Sequence, residues 1–416
     1  MATKSANGNE MLSVAEARDI ILSAVQKRPA RATPLVAALD CVQAQDVTSP
    51  INLPRWDNSA VDGYAVRSSD VASANENSPI HLHVIASLPA GAAADMRLEP
   101  QSCARIFTGA PIPEGADAVV MQEDTRPHHE GYIAVEESVE PGENIRCAGD
   151  DVTKDDVVLR AGVVLGPAQL GMAAAIGLAQ VTVYPRPRVG VLVTGAEIVE
   201  PGKPLRAGQI YDANSYTLCA LVKRAGCEPV DLGIADDTRE DLNEKIDYAL
   251  AECDAVITVG GVSVGEYDLV KDVLTELGCE QKFWRIAMRP GKPFVFGTRG
   301  EKLAFGLPGN PVSAAVTFLI LVRPALLQMR GLTAIDLPTV TAEAIEDFVN
   351  RGDRPHYMRA KLERNGEKWL VQPLPRQASH AISSLTNASC LVEVPAATTI
   401  PSGHLIRALR LTGNDE

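Results

Sequence analysis

Residues 184–330 alternate short apolar segments with amphipathic ones, and this alternation constrains the fold more than any other feature of the chain. Continuous runs of Val, Ile and Leu are typical of strands that are buried on both faces, and the segments between them have helical spacing. Repeated strand–helix–strand units predict a parallel sheet with helices on both sides. We therefore expect a three-layer α/β domain, with strands over 189–194, 228–233, 255–260, 283–288 and 303–307 and helices over 215–225, 239–252, 268–277 and 312–329.

The rest of the chain predicts three further regions. Ser13 and Glu16 form a capping box for a helix over 14–25, and a second helix, over 168–176, can pair with it. Between them, short alternating runs separated by Pro and Gly turns are typical of a β-rich domain, which makes that domain an insertion. The expected organisation is multidomain α/β plus β: an N-terminal domain over 11–53 and 148–183, an inserted β-rich domain over 54–147, the α/β domain over 184–330, and a small C-terminal β domain over 331–416.

The chain carries 53 acidic and 39 basic side chains, a net charge of −14 at pH 7. This balance argues against nonspecific nucleic-acid binding, so an anionic ligand requires a local basic site. The first ten residues lack an apolar signal core, and the longest apolar stretch, 312–322, is interrupted by Ser313 and Thr317, so we expect it to be too short to span a bilayer. The eight cysteines lack metal-binding spacing and are expected to be reduced thiols of a cytoplasmic protein.

Segment 256–268 combines an apolar strand, a glycine-rich turn and the start of a helix. Glycines at the carboxyl end of such a strand let backbone N–H groups approach a phosphate, and the helix N-terminus favours an anion. The segment lacks the dinucleotide and P-loop patterns, but 261–265 matches the GxSxG elbow of serine hydrolases, with Ser263 as the nucleophile. Phosphate binding, a hydrolase nucleophile and a simple tight turn all remain open at this point.

A second glycine turn, 306–311, precedes the last helix of the domain, where Asn310 also suits an ordinary helix cap. Between the two turns, Arg285 and Arg289 are expected to share one face of a strand, with Lys292 at the turn that follows. A solvated edge is the commoner fate of surface charge, but the position beside two glycine turns favours anion capture.

Carboxylates follow several predicted strands at their carboxyl ends, namely Glu197, Asp212, Asp236, Asp237 and Asp268. Carboxylate oxygens beside phosphates are typical of Mg2+ sites, where the ion binds one or two carboxylates and keeps several water ligands. The cluster therefore indicates a magnesium-assisted phosphoryl step, although Asp236 or Asp237 alone is equally well explained as a helix cap.

Seven motifs occur in order along the chain, and composition alone would assign the first two of them only to turns. They are DNSAVDGYAV (57–66), TGAPIPEGADAVV (108–120), NIR followed by GDD (144–151), GQIYDAN (208–214), GGVSVGEYD (260–268), RPGKPFVFG (289–297) and GLPGNPVSA (306–314). Together these motifs resemble those of the molybdopterin molybdenumtransferases, the family of bacterial MoeA and of the gephyrin E domain.

The resemblance implies an elongated N-terminal domain, an inserted β domain, a molybdopterin-binding α/β domain and a C-terminal β-barrel-like domain. It also implies a homodimer in which Asp62 and Thr108 of one subunit meet Asp268 of the other. The implied reaction takes adenylylated molybdopterin and molybdate, inserts molybdenum at the dithiolene sulfurs, cleaves the pyrophosphate link with Mg2+, and releases AMP and molybdenum cofactor. The implied partners are a molybdopterin adenylyltransferase upstream and molybdoenzymes or their chaperones downstream, with no nucleic acid and no membrane.

The same resemblance assigns roles to individual positions. The catalytic positions are Asp268, Asp237, Glu197, Asp62 and Thr108, of which Glu197, Asp237 and Asp268 bind the metal. The pterin-binding positions are Gly260, Gly261, Ser263, Gly265, Asp212, Asn214, Gly306, Pro308, Gly309, Asn310 and Arg285. The molybdate positions are Arg289, Lys292, Pro293, Arg359 and Ser379.

Four positions depart from the family pattern. Ala196 replaces a usual acidic residue and thins the negative charge near the metal, and Ala378 replaces a glycine before Ser379. Arg285 and Arg289 stand where some members have Lys, which keeps the charge but changes the reach of the side chain.

Two other functions remain open. A serine hydrolase using Ser263 requires a later histidine, for which His356, His380 and His404 are available in the C-terminal β region. A non-catalytic scaffold is the second alternative, because the same fold serves receptor clustering in gephyrin.

Overall fold

The structure is a computed structural model that describes residues 11–261 and 269–411. Its centre is a six-stranded sheet whose strands send alternate side chains into two apolar cores; Val191 and Val193 enter one, and Leu192 enters the other. The first four strands pair in parallel and the last two pairings are antiparallel, which confirms the mainly parallel sheet. In spatial order the strands are Glu228–Ala235, Arg188–Thr194, Ala255–Val259, Lys302–Leu307, Pro293–Arg299 and Glu280–Arg285.

Helices cover both faces of this sheet and complete the three expected layers. Leu218 and Val222 pack on one face, whereas Leu242, Ile246 and Val273 pack on the other. The helical segments are Asn214–Arg224, Arg239–Glu252, Leu269–Glu276, Pro311–Thr317, the π-helical Phe318–Val322, and Arg323–Met329.

The last three segments form one continuous helix, Pro311–Met329. It has 19 residues and a mean hydropathy of 1.7, which is long and apolar enough to cross a membrane, so the expectation that this stretch is too short was wrong. The polar residues do not interrupt the helix, because the Thr317 hydroxyl donates a hydrogen bond to the Ser313 carbonyl at 2.8 Å. The helix is 83% buried inside the protein, as the core helix of a three-layer domain is.

The sequence pattern does not reveal the antiparallel edge of the sheet. The strand expected over 283–288 runs instead over Glu280–Arg285, and Pro293–Arg299 forms a further strand between it and Lys302–Leu307. Pro and Gly before position 293 favour a turn and mask the strand that follows. Because the first strand ends at Arg285, Arg289 lies in the turn, and the expectation that these two arginines share a strand face was wrong.

The N-terminal helix, Val14–Ala24, belongs to the α/β core. Its predicted capping box is confirmed, since the Ser13 hydroxyl accepts a hydrogen bond from the Glu16 N–H at 3.2 Å. Ala17 and Ile21 on its apolar face are fully buried in the same core as the helix Pro311–Met329. The expected pairing with the helix near 168–176 was therefore wrong, and this helix packs outside the N-terminal domain to which the sequence assigned it.

Segments on either side of the β-rich region pair with each other, which makes that region an insertion. The segment before the insertion supplies the outer strands, and the segment after it supplies the strands and the helix that pack on them. The N-terminal domain consists of Arg31–Pro34, Leu35–Ala37 (3-10 helix), Val42–Gln43, Val47–Thr48, Val157–Leu159, Pro167–Ala175 (helix) and Gln180–Tyr184.

The inserted domain is built on a second six-stranded sheet. A short helix, Ser68–Val71, follows the strand Gly63–Val66 along the chain. Beside the sheet, Asn58–Ser59 pairs with Ile145–Arg146. In spatial order the sheet strands are Ala118–Met121, Gly63–Val66, Ser102–Ile106, Ile80–Leu88, Tyr132–Val135 and Thr125–Pro127.

The C-terminal domain is a small closed barrel, as expected. A strand pair, Phe348–Asn350 with Thr398–Ile400, and a short helix, Ser383–Thr386, flank it. The barrel strands are Thr339–Ala344, Lys368–Pro373, His356–Asn365, Cys390–Val394 and Leu405–Arg410.

The packing of the N-terminal helix predicts a large effect of truncating it. Ile21→Ala should lower the free energy of unfolding by about 2–5 kcal/mol, because it leaves a cavity in the α/β core. Val36→Ala is the matched control, since Val36 is 95% exposed, and it should change stability by less than about 0.5 kcal/mol. Chemical denaturation measures both, and an unchanged stability of the Ile21 variant would contradict this packing.

Candidate active site

Two adjoining cavities lie at the carboxyl edge of the parallel strands. The larger, of about 650 Å³, begins where strands end at Thr194 and Val259. The smaller, of about 410 Å³, lies between the turn 289–293 and the C-terminal domain. They form one cleft, because both are lined by Pro293, Pro308, Asn310 and His380.

The two cavities differ in charge. Glu197, Asp212 and Asp237 line the larger one, and its described lining contains no Lys or Arg; we call it the acidic cavity. The smaller one has no carboxylate among its described lining residues, and we call it the basic cavity. Its cationic lining residues are Arg289, Lys292 and Arg354.

The first glycine turn lines the acidic cavity, and its backbone passes so close to neighbouring residues that side chains would not fit. A Cβ atom on Gly260 (φ +94°) would lie 2.6 Å from the Thr194 carbonyl oxygen. One on Gly261 (φ +59°) would lie 2.8 Å from a methyl group of Val270. Only glycine fits both the space and the backbone conformation. The other residues predicted here, Ser263, Gly265 and Asp268, lie outside the described residues.

The second glycine turn faces the first. Gly309 approaches Gly260, and its carbonyl oxygen accepts a hydrogen bond from Asn214 Nδ2 at 2.8 Å. Asn310 is the N-cap of the helix that follows, but its side chain makes no capping hydrogen bond and is available to a ligand. Gly306, predicted to line this turn, is instead buried inside the strand Lys302–Leu307.

Two carboxylates of the acidic cavity, Asp237 and Asp212, are held by backbone N–H groups. Asp237 Oδ2 accepts from Ala196 N at 3.1 Å, so the position that departs from the family pattern still contributes through its backbone. Thr238 caps the helix Arg239–Glu252, which removes the helix-cap explanation of Asp237. Asp212, by contrast, is tied to the start of a helix, since its Oδ1 accepts from the N–H of Asn214, the first residue of Asn214–Arg224, at 2.9 Å.

Two buried polar atoms, one on the cavity-lining Asn214 and one on its neighbour Ser215, have no partner among the described residues. Asn214 Oδ1 and Ser215 Oγ are inaccessible and unpaired among the described residues. Buried polar groups are normally hydrogen-bonded, so such atoms mark a place where water or a ligand completes the structure. Sequence reasoning identified Asn214 and missed Ser215, which lies one residue beyond the matched motif.

The basic cavity brings together four of the five predicted molybdate positions: Arg289, Lys292, Pro293 and Ser379. The C-terminal domain also contributes Arg354, which sequence reasoning missed because no local pattern distinguishes it from other exposed loop cations. Its Nη1 donates to the Met288 carbonyl at 3.3 Å, which fixes it against the turn that carries Arg289.

Arg359, the fifth predicted molybdate position, lies behind the wall of the basic cavity and is fully buried. Its Nη2 donates to the carbonyls of Arg376 and Ala378 at 3.3 and 3.2 Å, and its Nε donates to Ser384 Oγ at 3.2 Å. Nη1 has no partner among the described residues. Burial, followed by repulsion from Arg289, lowers the pKa of Arg359 to about 10, so it remains cationic at neutral pH. The guanidinium therefore supports the cavity wall through Nε and Nη2, and its Nη1 donor is not used by these hydrogen bonds.

Arg285 does not join the described site. Its guanidinium carbon lies 3.7 Å from the ring centroid of Trp284, and it lines neither cavity. The structure thus gives no support to its predicted pterin-binding role.

Asp62 and Thr108 lie together in the inserted domain. Thr108 donates from both its N–H and its hydroxyl to Asp62 Oδ1, each at 2.8 Å. These two hydrogen bonds lower the pKa of Asp62, because they stabilise the charged carboxylate. The pair lines neither of the two cavities.

Among the histidines considered for a hydrolase, the structure brings His380 to the cleft. His356 is buried in the barrel, where burial and the nearby arginines lower its pKa to about 4. His404 precedes the last barrel strand and lines neither cavity. The proposed nucleophile, Ser263, lies outside the described residues.

Glu197 and Asp237 are the acidic-cavity carboxylates that the resemblance assigns to a metal. Within 11–261 and 269–411, no three His, Cys, Asp or Glu side chains gather closely enough to hold a metal ion by themselves. Glu197 and Asp237 nevertheless line one cavity beside two glycine turns. Mg2+ commonly binds through one or two carboxylates together with substrate phosphates, and this pair fits that mode.

Three family models match the chain in order. The MoeA N-terminal region (domain I and II) matches residues 12–177, the probable molybdopterin binding domain matches 190–328, and the MoeA C-terminal region (domain IV) matches 341–411. Together they span most of the sequence and agree with the motifs that carried the resemblance.

Individual relatives agree with these models. A molybdopterin molybdenumtransferase of Haemophilus influenzae is 40% identical over 384 residues, 89% of this chain and 94% of that protein. Molybdopterin molybdenumtransferase 2 of Mycobacterium tuberculosis is 37% identical over 92% of this chain and 96% of that protein. The solved structure of the molybdopterin biosynthesis MoeA protein from Pyrococcus horikoshii has a TM-score of 0.81 at 33% identity, covering 97% of this chain and all of that one. The chain therefore belongs to the molybdopterin molybdenumtransferase family.

Proposed function

We propose that this chain inserts molybdenum from molybdate into adenylylated molybdopterin in an Mg2+-dependent reaction that releases AMP and molybdenum cofactor. The observation that carries the proposal is the cleft with an acidic and a basic cavity, which suits a phosphate-bearing pterin beside a small oxyanion. The names of the relatives support a transferase in molybdenum cofactor biosynthesis. They do not favour a serine hydrolase or a non-catalytic scaffold.

The acidic cavity suits the pyrophosphate of the substrate only together with a cation. Glu197 and Asp237 would otherwise repel the phosphates, so the pair fits an Mg2+ ion that neutralises charge on the phosphates and on the departing AMP. Asp237 keeps its orientation through the Ala196 N–H. The turn at Gly260 leaves room for a phosphate, and the free side-chain amide of Asn310 can donate to it.

The basic cavity suits molybdate, a tetrahedral dianion that needs several convergent donors. Arg289, Lys292 and Arg354 supply positive charge, and the Ser379 hydroxyl supplies a neutral donor. Arg359 Nη1, a buried donor with no partner among the described residues, lies behind the same wall. Molybdate bound in this cavity would lie close to a pterin in the acidic cavity, since the two cavities share lining residues.

The proposed enzyme is a homodimer with composite sites. Asp62 is exposed, hydrogen-bonded to Thr108 and absent from both cavities of its own subunit, which supports a role in the site of a partner copy. A cytoplasmic enzyme of this kind would receive its substrate from a molybdopterin adenylyltransferase and pass its product to molybdoenzymes or their chaperones.

The first test concerns the acidic cavity. Asp237→Asn should lower molybdate-dependent AMP release at least about 100-fold, because it removes one metal-binding charge while keeping the acceptor for Ala196 N–H. Asp236→Asn is the matched control, since Asp236 is the adjacent carboxylate and lines neither cavity. AMP release and reconstitution of an apo-molybdoenzyme measure the activity. Wild-type protein that releases no AMP from intact substrate would refute the transferase and favour the scaffold.

The basic cavity generates a second test. Lys292→Met should raise the KM for molybdate about tenfold or more, because a charge-assisted hydrogen bond to the oxyanion is lost, with little change in affinity for the pterin. Lys361→Met, an exposed barrel substitution paired with Glu363, is the control and should leave both values unchanged. Equal molybdate KM values for Lys292→Met and wild type would show that the oxyanion binds elsewhere.

The composite site generates a third test. Asp62→Asn and Asp237→Asn should each inactivate the protein, yet a mixture that exchanges subunits should recover about one quarter of wild-type activity, because half of the dimers are mixed and each has one intact site. The measurement is AMP release before and after subunit exchange. No recovery in a mixture shown to contain mixed dimers would place both residues in one subunit's site.

A further inference from the structure

We propose that His380 is a ligand-contacting residue of the cleft, donating a hydrogen bond to the oxyanion held where the acidic and basic cavities meet. The inference rests on the proposed function for the identity of that oxyanion. None of the seven motifs contains His380, and the sequence considers it only as a hydrolase histidine.

The first argument is its place in the cleft. The residues that line both cavities are Pro293, Pro308, Asn310 and His380. The two prolines have no polar side-chain atom and no backbone N–H. Among the described residues at this junction, polar side chains therefore come from Asn310 on the α/β domain and His380 on the C-terminal domain.

The second argument is that the backbone around His380 is fixed. The Ser379 carbonyl accepts a hydrogen bond from Val312 N at 3.1 Å, which fastens this segment to the first turn of the core helix. The Ala378 carbonyl accepts from Arg359 Nη2 at 3.2 Å, and the His380 carbonyl accepts from Ile382 N at 2.9 Å. The chain on both sides of the imidazole is thus held before a ligand arrives.

The third argument is that the imidazole itself is free. No hydrogen bond joins it to another described residue, and the side chain is exposed at the cleft. The fixed backbone removes the cost of ordering this loop on binding, and the unpaired imidazole keeps a donor for the ligand.

The residue type also suits this position between unlike charges. A guanidinium or ammonium group here would be attracted to the carboxylates Glu197 and Asp237 of the neighbouring cavity and would compete with the metal. An imidazole ring offers an N–H donor to an oxyanion without the obligatory positive charge of a guanidinium or ammonium group.

The test uses the full chain with molybdate alone as the probe, followed by the complete reaction. His380→Ala should raise the Kd of molybdate, measured by calorimetry, about tenfold or more, and raise the molybdate KM by a similar factor. His380→Gln keeps a side-chain N–H donor and should recover most of the affinity. His404→Ala, a histidine of the same domain outside both cavities, is the matched control and should bind as wild type does.

Wild-type affinity in the His380→Ala variant would overturn the inference. Equal loss in the Ala and Gln variants would also overturn it, because a purely structural role does not depend on the N–H donor. If wild type binds molybdate in a His380-dependent manner but releases no AMP, the proposed function fails and the inference stands. If AMP release is intact and its molybdate dependence is unchanged by His380→Ala, the inference fails and the proposed function stands.

Discussion

The cleft depends on the absence of side chains where neighbouring parallel strands end. Gly260 lies so close to the Thr194 carbonyl that any Cβ atom would overlap it, and Gly309 approaches Gly260 from the next turn. The hydrogen bond from Asn214 to the Gly309 carbonyl joins this contact to a helix of the same domain. Larger residues at these glycines would push the strand ends apart and fill the space that holds a ligand. Close backbone approach is thus the condition for both the sheet edge and the cavity above it.

The separation of charge along the cleft follows from which domain lines each cavity. Carboxylates of the acidic cavity come from loops of the α/β domain, including the strand pair Ile198–Val199 with Ile210–Tyr211. The basic cavity combines the turn 289–293 with a segment of the barrel. In a protein with a net charge of −14, cations gathered on one side of a cleft concentrate an oxyanion that the rest of the surface repels. Docking of the barrel therefore completes the basic cavity as well as the fold.

Features carried by local patterns were predictable. The capping box at Ser13, the glycine turn at Gly260 and the carboxylate at Asp237 each depend on neighbours within a few residues, and the structure places them as expected. The strand Pro293–Arg299 was missed because its first residues read as a turn. Arg285 and Arg289 were expected to share a strand face because their spacing was interpreted as one regular strand, whereas the strand ends between them.

The sequence by itself determined the α/β alternation, the glycine turns, the family motifs and most of the charged groups that a phosphate or an oxyanion would require. Only the tertiary structure decided that the N-terminal helix joins the α/β core, that Arg359 stands behind the cavity wall, and that His380 reaches the junction of the two cavities. The physical reason is the range of the interactions. Turns, caps and periodicity act over a few residues and leave a local signal, whereas contacts between residues such as Val312 and Ser379 form only when separate domains pack together.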